Sequence, residues 1–291
     1  MDLATLVQLA ITISICLIVI SLGLGSTHEE ALYLFRRPGE LARSLISMNV
    51  IMPLAAAALA VPFGFDPAMQ LTLIALAVSP VPPILPRREV NVGGRASYAV
   101  GLLTAAGLLA IVYVPVALSL LGRLFAVDVH MPVHVVARIV LITVLGPLAT
   151  GIIVRRLAPA LAARIARPIA LGAFVLLGLG VVMVLLNAWP AAWALIGSGR
   201  VVALVVFVVI GLVVGQLMGG PRPEDRTVLA LSTALRHPGM ALAIAGTLFP
   251  EHQKLVMGVL VLYLIVGQLV LIPYLIWRRR QPVGVGSVAR S

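Results

Sequence analysis

Ser79-Pro80-Val81-Pro82-Pro83-Ile84-Leu85-Pro86 and Ser232-Thr233-Ala234-Leu235-Arg236-His237-Pro238-Gly239 each interrupt an apolar run at a depth where lipid would require unbroken helix. Backbone released from helical hydrogen bonds inside a bilayer is tolerated only where protein or a water-filled cavity surrounds it. Interrupted segments at corresponding places in two halves of a chain mark a solute site near the midplane. The pairing therefore predicts a transporter whose polar pocket lies where the two breaks meet.

The chain around these breaks is built for lipid. Hydrophobic residues make up 61% of it and charged residues 11%, against about 25% charged in a soluble domain. The mean hydropathy is +1.13, and the fold class this implies is an all-α membrane protein. At about 20 apolar residues per crossing, nine segments are predicted: about 4–25, 41–61, 67–93 (broken), 96–121, 134–154, 168–188, 201–218, 227–248 (broken) and 255–277. The first of these has an acidic start (Asp2), no Lys or Arg and no Ala-x-Ala site, so it reads as a span rather than a leader. The chain reads as one polytopic domain over 1–281, with a first repeat of about 1–122, a second of about 132–278 and a polar tail at 282–291.

Charge sets the orientation. Of the 21 Lys and Arg residues, Arg138 and Arg236 fall within spans, and only Arg123, Arg200 and Lys254 fall on even-numbered connections. All the others lie on the odd-numbered connections and the C-terminal tail, which the positive-inside rule places in the cytoplasm. The N-terminus is then outside, and the setting is a cell inner membrane. A net charge of +11 scattered between apolar runs points to anionic lipid headgroups as partners, not to nucleic acid. Cys16 is the single cysteine, so no intrachain disulfide forms. Among the carboxylates, only Glu89 falls where membrane depth is plausible. The polar stretch 26–44 reads equally as an interfacial connector, with Leu32, Leu34 and Phe35 toward lipid, or as a solvated loop.

Each break has its own chemistry. Between Pro67 and Ser79 there is room for about 12 helical residues, or about 18 Å, roughly half a bilayer. Pro80, Pro82, Pro83 and Pro86 cannot continue that helix, because each lacks an amide hydrogen and disfavours a helical residue before it. In the second break, the helix from Thr227 opens around Arg236-His237-Pro238-Gly239 and restarts along Met240–Thr247. The plainer reading of either break is a proline kink packed against its neighbours. A central Arg is costly on insertion scales, at about 2.5–3.5 kcal/mol, so Arg236 needs a partner: a solute anion, the freed carbonyls of the crossing, or a structural ion pair with Glu89. His237 has the intrinsic range to carry a proton, against the commoner role of a satisfied hydrogen-bonding residue. Arg87-Arg88-Glu89 reads as the second half of the broken helix or as the loop at its mouth, with the basic count favouring the latter.

The order of smaller motifs around the breaks resembles the bile acid:sodium symporter family, from about Leu17 to Arg280. Gly23-x-Gly25 is followed by Leu34-Phe35-Arg36-Arg37-Pro38, then Met52-Pro53 and Pro147-x-x-x-Gly151-x-x-x-Arg155. The resemblance implies a core domain in which two broken helices cross and a panel domain against which it moves. Compared with ten-helix members, the first helix is missing. The family's sodium ligands do not carry over. Its Cys-Pro-Gly-Gly then Ser-Asn falls on Ser79-Pro80-Val81-Pro82 then Leu85-Pro86. Its hydroxyl ligands fall on Ala99 and Leu103, one place from Thr104. Its Glu-x-Gly-x-Gln-Asn falls on Ser232 to His237, and its earlier amide falls on Met48, beside Asn49. A hard cation needs several oxygen ligands, so sodium as a partner is doubtful.

The function expected is secondary transport of a small organic solute, an anion for preference, without sodium and without a cofactor; the alternative is a sodium-coupled organic anion symporter with a reduced site. The substrate-binding set is Ser79, Pro80, Ser232, Thr233, Arg236 and His237. Pro82, Pro83, Pro86, Pro238 and Gly239 shape the openings, and Asn49, Glu89 and Thr104 are candidates for cavity or partner roles. An enzyme would need a nucleophile and base converging in the membrane, and only Ser232 with His237 offers such a pair.

Overall fold

The computed structural model describes residues 3–60, 64–124, 132–197, 199–248 and 250–280. The expected tail at 282–291, with Arg290, lies outside the described residues, as do Asp2 and Asp128. The described elements are helical throughout: α1 (Leu3–Gly25), α2 (His28–Ala31), α3 (Pro38–Leu45), α4 (Met52–Ala60), α5 (Pro67–Val78), α6 (Leu85–Asn91), α7 (Ala96–Leu124), α8 (Val133–Val140), α9 (Gly146–Leu157), α10 (Pro159–Ala194), α11 (Arg200–Met218), α12 (Pro223–Ala234), α13 (Pro238–Leu248) and α14 (Gln253–Arg280). A wide turn over Ile46–Ile51 joins α3 to α4, and another over Leu141–Leu145 joins α8 to α9.

Among the described residues, eight stretches are long and apolar enough to cross a membrane, and the pair α5 and α6 completes the nine segments expected. The protein is a multi-pass, all-α membrane protein. Proline sets several starts: Pro38, Pro67, Pro159 and Pro223 each occupy the first turn of a helix, where the missing amide would be unpaired anyway. Asp66 caps α5 by accepting from the Met69 amide at 3.0 Å.

Two boundaries differ from expectation. The sixth segment runs over Pro159–Ala194 rather than 168–188, because Pro159 begins the helix and Pro168 is accommodated inside it; its 36 residues are more than the about 20 that a crossing needs, and Arg164 and Arg167 lie near its start. The stretch 26–44 is also not a plain solvated loop. Thr27 and Glu30 form a reciprocal capping box on α2, and Leu34 is fully buried. Gly101 of α7 lets this connector approach: a Cβ there would lie 3.1 Å from the Glu30 carbonyl.

Burial separates the centre from the rim. Only 17% of the α10 window is buried, against 78% for the stretch of α12 and α13. So α10 lies on the rim while α12 and α13 form the middle. α1, α9 and α10 pack together on one side, α11 packs along α12 and against α14, and α5, α13 and α14 pack on one another. At one end of the bundle Arg95 binds Asp225 through Nε at 2.8 Å and through Nη2, and approaches Glu40 at 3.8 Å. Its guanidinium also lies over the Tyr33 ring at 4.8 Å. This cluster ties the starts of α3, α7 and α12 together and keeps its three charges partly desolvated yet paired.

Candidate site at the crossing of the broken helices

α5 ends at Val78 because Ser79 turns extended (φ −66°, ψ 145°) and Pro80 has no amide to offer. The Ser79 hydroxyl folds back to donate to the Ala75 carbonyl at 2.6 Å. The chain restarts as α6 after the Leu85 amide closes a turn onto the Pro82 carbonyl at 2.9 Å; Pro82, Pro83 and Pro86 are buried in this stretch. In the second break, Leu235 is extended (φ −102°, ψ 123°) after Ala234. Pro238 begins α13, and Nδ1 of His237 accepts from the Met240 amide at 3.3 Å. Gly239 follows with no side chain to crowd that imidazole: a Cβ there would meet His237 Cε1 at 3.1 Å.

The two breaks touch. The His237 amide donates to the Pro80 carbonyl at 3.1 Å. Arg236 reaches across as well: its Nη2 donates to the Ala77 carbonyl at 2.6 Å and its Nε to the Leu76 carbonyl at 3.3 Å. These are last-turn carbonyls of α5, where the Ser79 amide, shared between the Ala75 and Leu76 carbonyls at 3.1 Å each, is the last donor before the proline run, and the negative end of a helix dipole suits a cation. A guanidinium in this position supplies donors and charge together. Arg236 is 1% exposed, and its Nη1 finds no hydrogen-bond partner among the described residues. The Tyr113 and Tyr263 hydroxyls lie within its electrostatic reach.

The other predicted residues distribute around this point. Ser232 donates to Glu89 Oε1 at 2.6 Å, and Thr233 shares a 2.7 Å hydrogen bond with Ser47. Arg236 and Glu89 form no ion pair within 4.0 Å, so the structural pairing considered for them is corrected: carbonyls, not a carboxylate, receive the guanidinium. The mouth-loop reading of Arg87-Arg88-Glu89 is corrected too, since all three lie on α6 and Glu89 is fully buried. Asn49 takes part through its main-chain carbonyl, which accepts from Tyr113 at 2.6 Å. Thr104 donates to Val100 of its own helix at 2.9 Å. His237 caps α13 and is largely buried, which is the plainer of its two roles.

Ser47, Tyr113 and Tyr263 were missed from sequence. The available signal was a polar oxygen inside an otherwise apolar run. Tyr263 matters most: its hydroxyl accepts from the Arg236 amide at 2.6 Å and donates to the Ala234 carbonyl at 3.3 Å, so one side chain satisfies two backbone groups of the second break. Tyr263→Phe leaves that buried amide unpaired, a cost of about 1–3 kcal/mol. The expected result is a lower melting temperature for the purified protein, with Tyr274→Phe, whose hydroxyl bonds Gln216 at 2.8 Å, much less affected.

The site does not fit a sodium ion. The carbonyls of Leu76 and Ala77 accept from Arg236, the Ser79 and Ser232 hydroxyls are committed to Ala75 and Glu89, and a fixed positive charge occupies the same neighbourhood. No curated protein matches the chain. A profile of the Sodium Bile acid symporter family matches residues 12–189, a stretch that runs from α1 into α10 and includes the first break but not the second. With well over half of its residues following that pattern, and with the apolar helices and broken segment described above, the chain belongs to the sodium bile acid symporter family of membrane transporters.

Proposed function

We propose that this protein carries a small organic anion across the cell inner membrane by alternating access, without sodium, and that Arg236 is the fixed charge the solute meets. The observation that carries the reading is the buried guanidinium at the meeting of the two breaks, with Nη1 free of partners among the described residues. A buried charge is expensive unless it has a counter-charge, and carbonyl dipoles supply only part of one. An anionic carboxylate or sulfonate completes it with the bidentate geometry that guanidinium favours. Ser79, Pro80, Ser232, Thr233 and His237 line the same neighbourhood. Asn49 and Thr104 are the more remote candidates.

The proposed moving parts are two. α1, α9 and α10 form one packed group, and the helices around α12 and α13 form the other. Inverted repeats of about 1–122 and 132–278 would give the pair its two equivalent tilts, since each break belongs to a different repeat. The charge bias of the connections supports an external N-terminus and a cytoplasmic C-terminus.

The test is uptake of labelled taurocholate and of a panel of smaller carboxylates into proteoliposomes, with external Na⁺ or choline. Equal initial rates in the two salts are expected. Rates that rise steeply with Na⁺ would favour a reduced sodium site over the guanidinium.

A further inference from the structure

Glu89 has no place in the anion site just proposed, yet it is the most deeply buried carboxylate among the described residues. Its exposure is 0%. Oε1 accepts from Ser232 at 2.6 Å, and Oε2 has no hydrogen-bond partner among the described residues. Four ion pairs occur among the described residues, and none includes Glu89.

The neighbouring charges are committed elsewhere. On α6 itself, Arg87 donates to Ser21 of α1 at 2.6 Å and Arg88 to Gln268 of α14 at 2.5 Å. At the start of α7, Arg95 is held by Asp225 of α12, and Tyr98 shares a 2.6 Å hydrogen bond with Ser44. On α12, Thr227 donates to the Pro223 carbonyl at 2.9 Å. From α14, Tyr274 lies within electrostatic reach of Glu89, but its hydroxyl is bonded to Gln216, and Arg278 donates to the Pro223 carbonyl at 3.0 Å. Among the described residues, an ionised carboxylate in this setting has one hydroxyl and no cation within 4.0 Å to stabilise it.

We infer that Glu89 is a proton-binding site that couples solute movement to a proton, an inference that rests on the transport reading above for its purpose but not for its chemistry. A carboxylate stripped of water and counter-charge takes up a proton rather than stay ionised. An amide would make the same bond to Ser232; what a carboxyl adds is a proton that can leave. The surface is close along the chain. Arg88 is partly exposed and Val90 and Asn91 are exposed, while Glu89 between them is buried. The partner Ser232 is on the opposite broken helix, one turn before Arg236. Sliding α6 against α12 parts the Ser232–Glu89 bond and admits water. The O–H bond at Oε2 then breaks, the proton passes to that water, and Glu89 remains as the carboxylate until the return movement rebinds a proton. Carried with a monovalent anion, one proton makes the movement electroneutral.

Infrared spectra of the full chain in liposomes, recorded from acid to alkaline pH, read the site without any solute. A neutral carboxylic acid carbonyl band is expected at neutral pH, lost on alkalinisation, shifted in D₂O and missing from Glu89→Gln, which keeps an acceptor for Ser232. With taurocholate as the probe, an inward acid gradient is expected to accelerate uptake at least several-fold in the unaltered protein and not in Glu89→Gln. A carboxyl that stays ionised throughout, or a variant that keeps both the band and the acceleration, overturns the assignment. Failure of the anion reading looks different: taurocholate and the smaller carboxylates are then not carried by the unaltered protein at any pH, while the titrating band still appears or fails to appear on its own account.

Discussion

Arg236→Gln is expected to remove anion uptake while leaving a folded protein in the membrane. A hydrogen bond to a charged group contributes about 1.5–3 kcal/mol, so losing the guanidinium from a bound carboxylate should weaken binding by about 10- to 100-fold. Folding has a separate account. Glutamine can still donate to one of the Leu76 and Ala77 carbonyls, and the bond from the Arg236 amide to Tyr263 involves only the backbone. Replacement also removes a buried charge, which offsets part of the lost bonding. Uptake by proteoliposomes, set beside the elution profile and melting curve of the same preparation, separates the two effects. Arg236→Lys is the sharper variant: a single ammonium keeps the charge but cannot hold both carbonyls and a carboxylate in one plane, so it should retain a fraction of uptake with a raised half-saturation concentration. Full transport by the Gln variant would make Arg236 a cap for α5 and nothing more.

The sequence showed where helices must stop more readily than what would fill the gaps. The proline run from Pro80 to Pro86 and the Pro238-Gly239 pair announce interruptions because proline chemistry is local: the missing amide and the ring clash act on the residues next to them. The start of α5 at Pro67 and its end before Ser79 followed from the same logic. The partner of Arg236 was harder. Cost alone says that it must have one, but carbonyls of Leu76 and Ala77 are present at every residue, and only the turn at Ser79 makes those two available. Glu89 shows the limit of counting charges. Two arginines beside it argue for a watery loop, whereas their own attachments to Ser21 and Gln268 pin α6 against α1 and α14 and bury the carboxylate between them. Tyr263 was least visible, since nothing in an apolar run marks which hydroxyl will face a broken helix on another segment.

Gly215→Val is expected to be the most damaging change outside the crossing, with loss of folded protein rather than loss of a particular activity. Gly211 and Gly215 on α11 and Gly219 at its C-cap lie four residues apart, so they form one stripe along the helix. The stripe lets α12 come into backbone contact: a Cβ on Gly215 would lie 2.5 Å from Ala230 Cα, and one on Gly211 would lie 2.5 Å from Ala234 Cα. Both neighbours are main chain, so no side chain can rotate away. Small residues at four-residue spacing permit this approach in membranes, where packing, not water, drives helices together. Overpacking typically costs about 1–3 kcal/mol, and here the whole of α12 must shift to absorb it. That shift reaches the crossing directly, because Ala234 is the last residue of α12, two before Arg236. Gly178→Val supplies the comparison: it sits on the exposed rim helix α10 with nothing within 4 Å of its Cβ position. Yield of monodisperse protein and melting temperature should fall sharply for Gly215→Val and stay near those of the unaltered chain for Gly178→Val. Equal behaviour of the two would mean that α11 and α12 do not depend on the backbone contact at Gly215, and that this contact does not hold Arg236 against the end of α5.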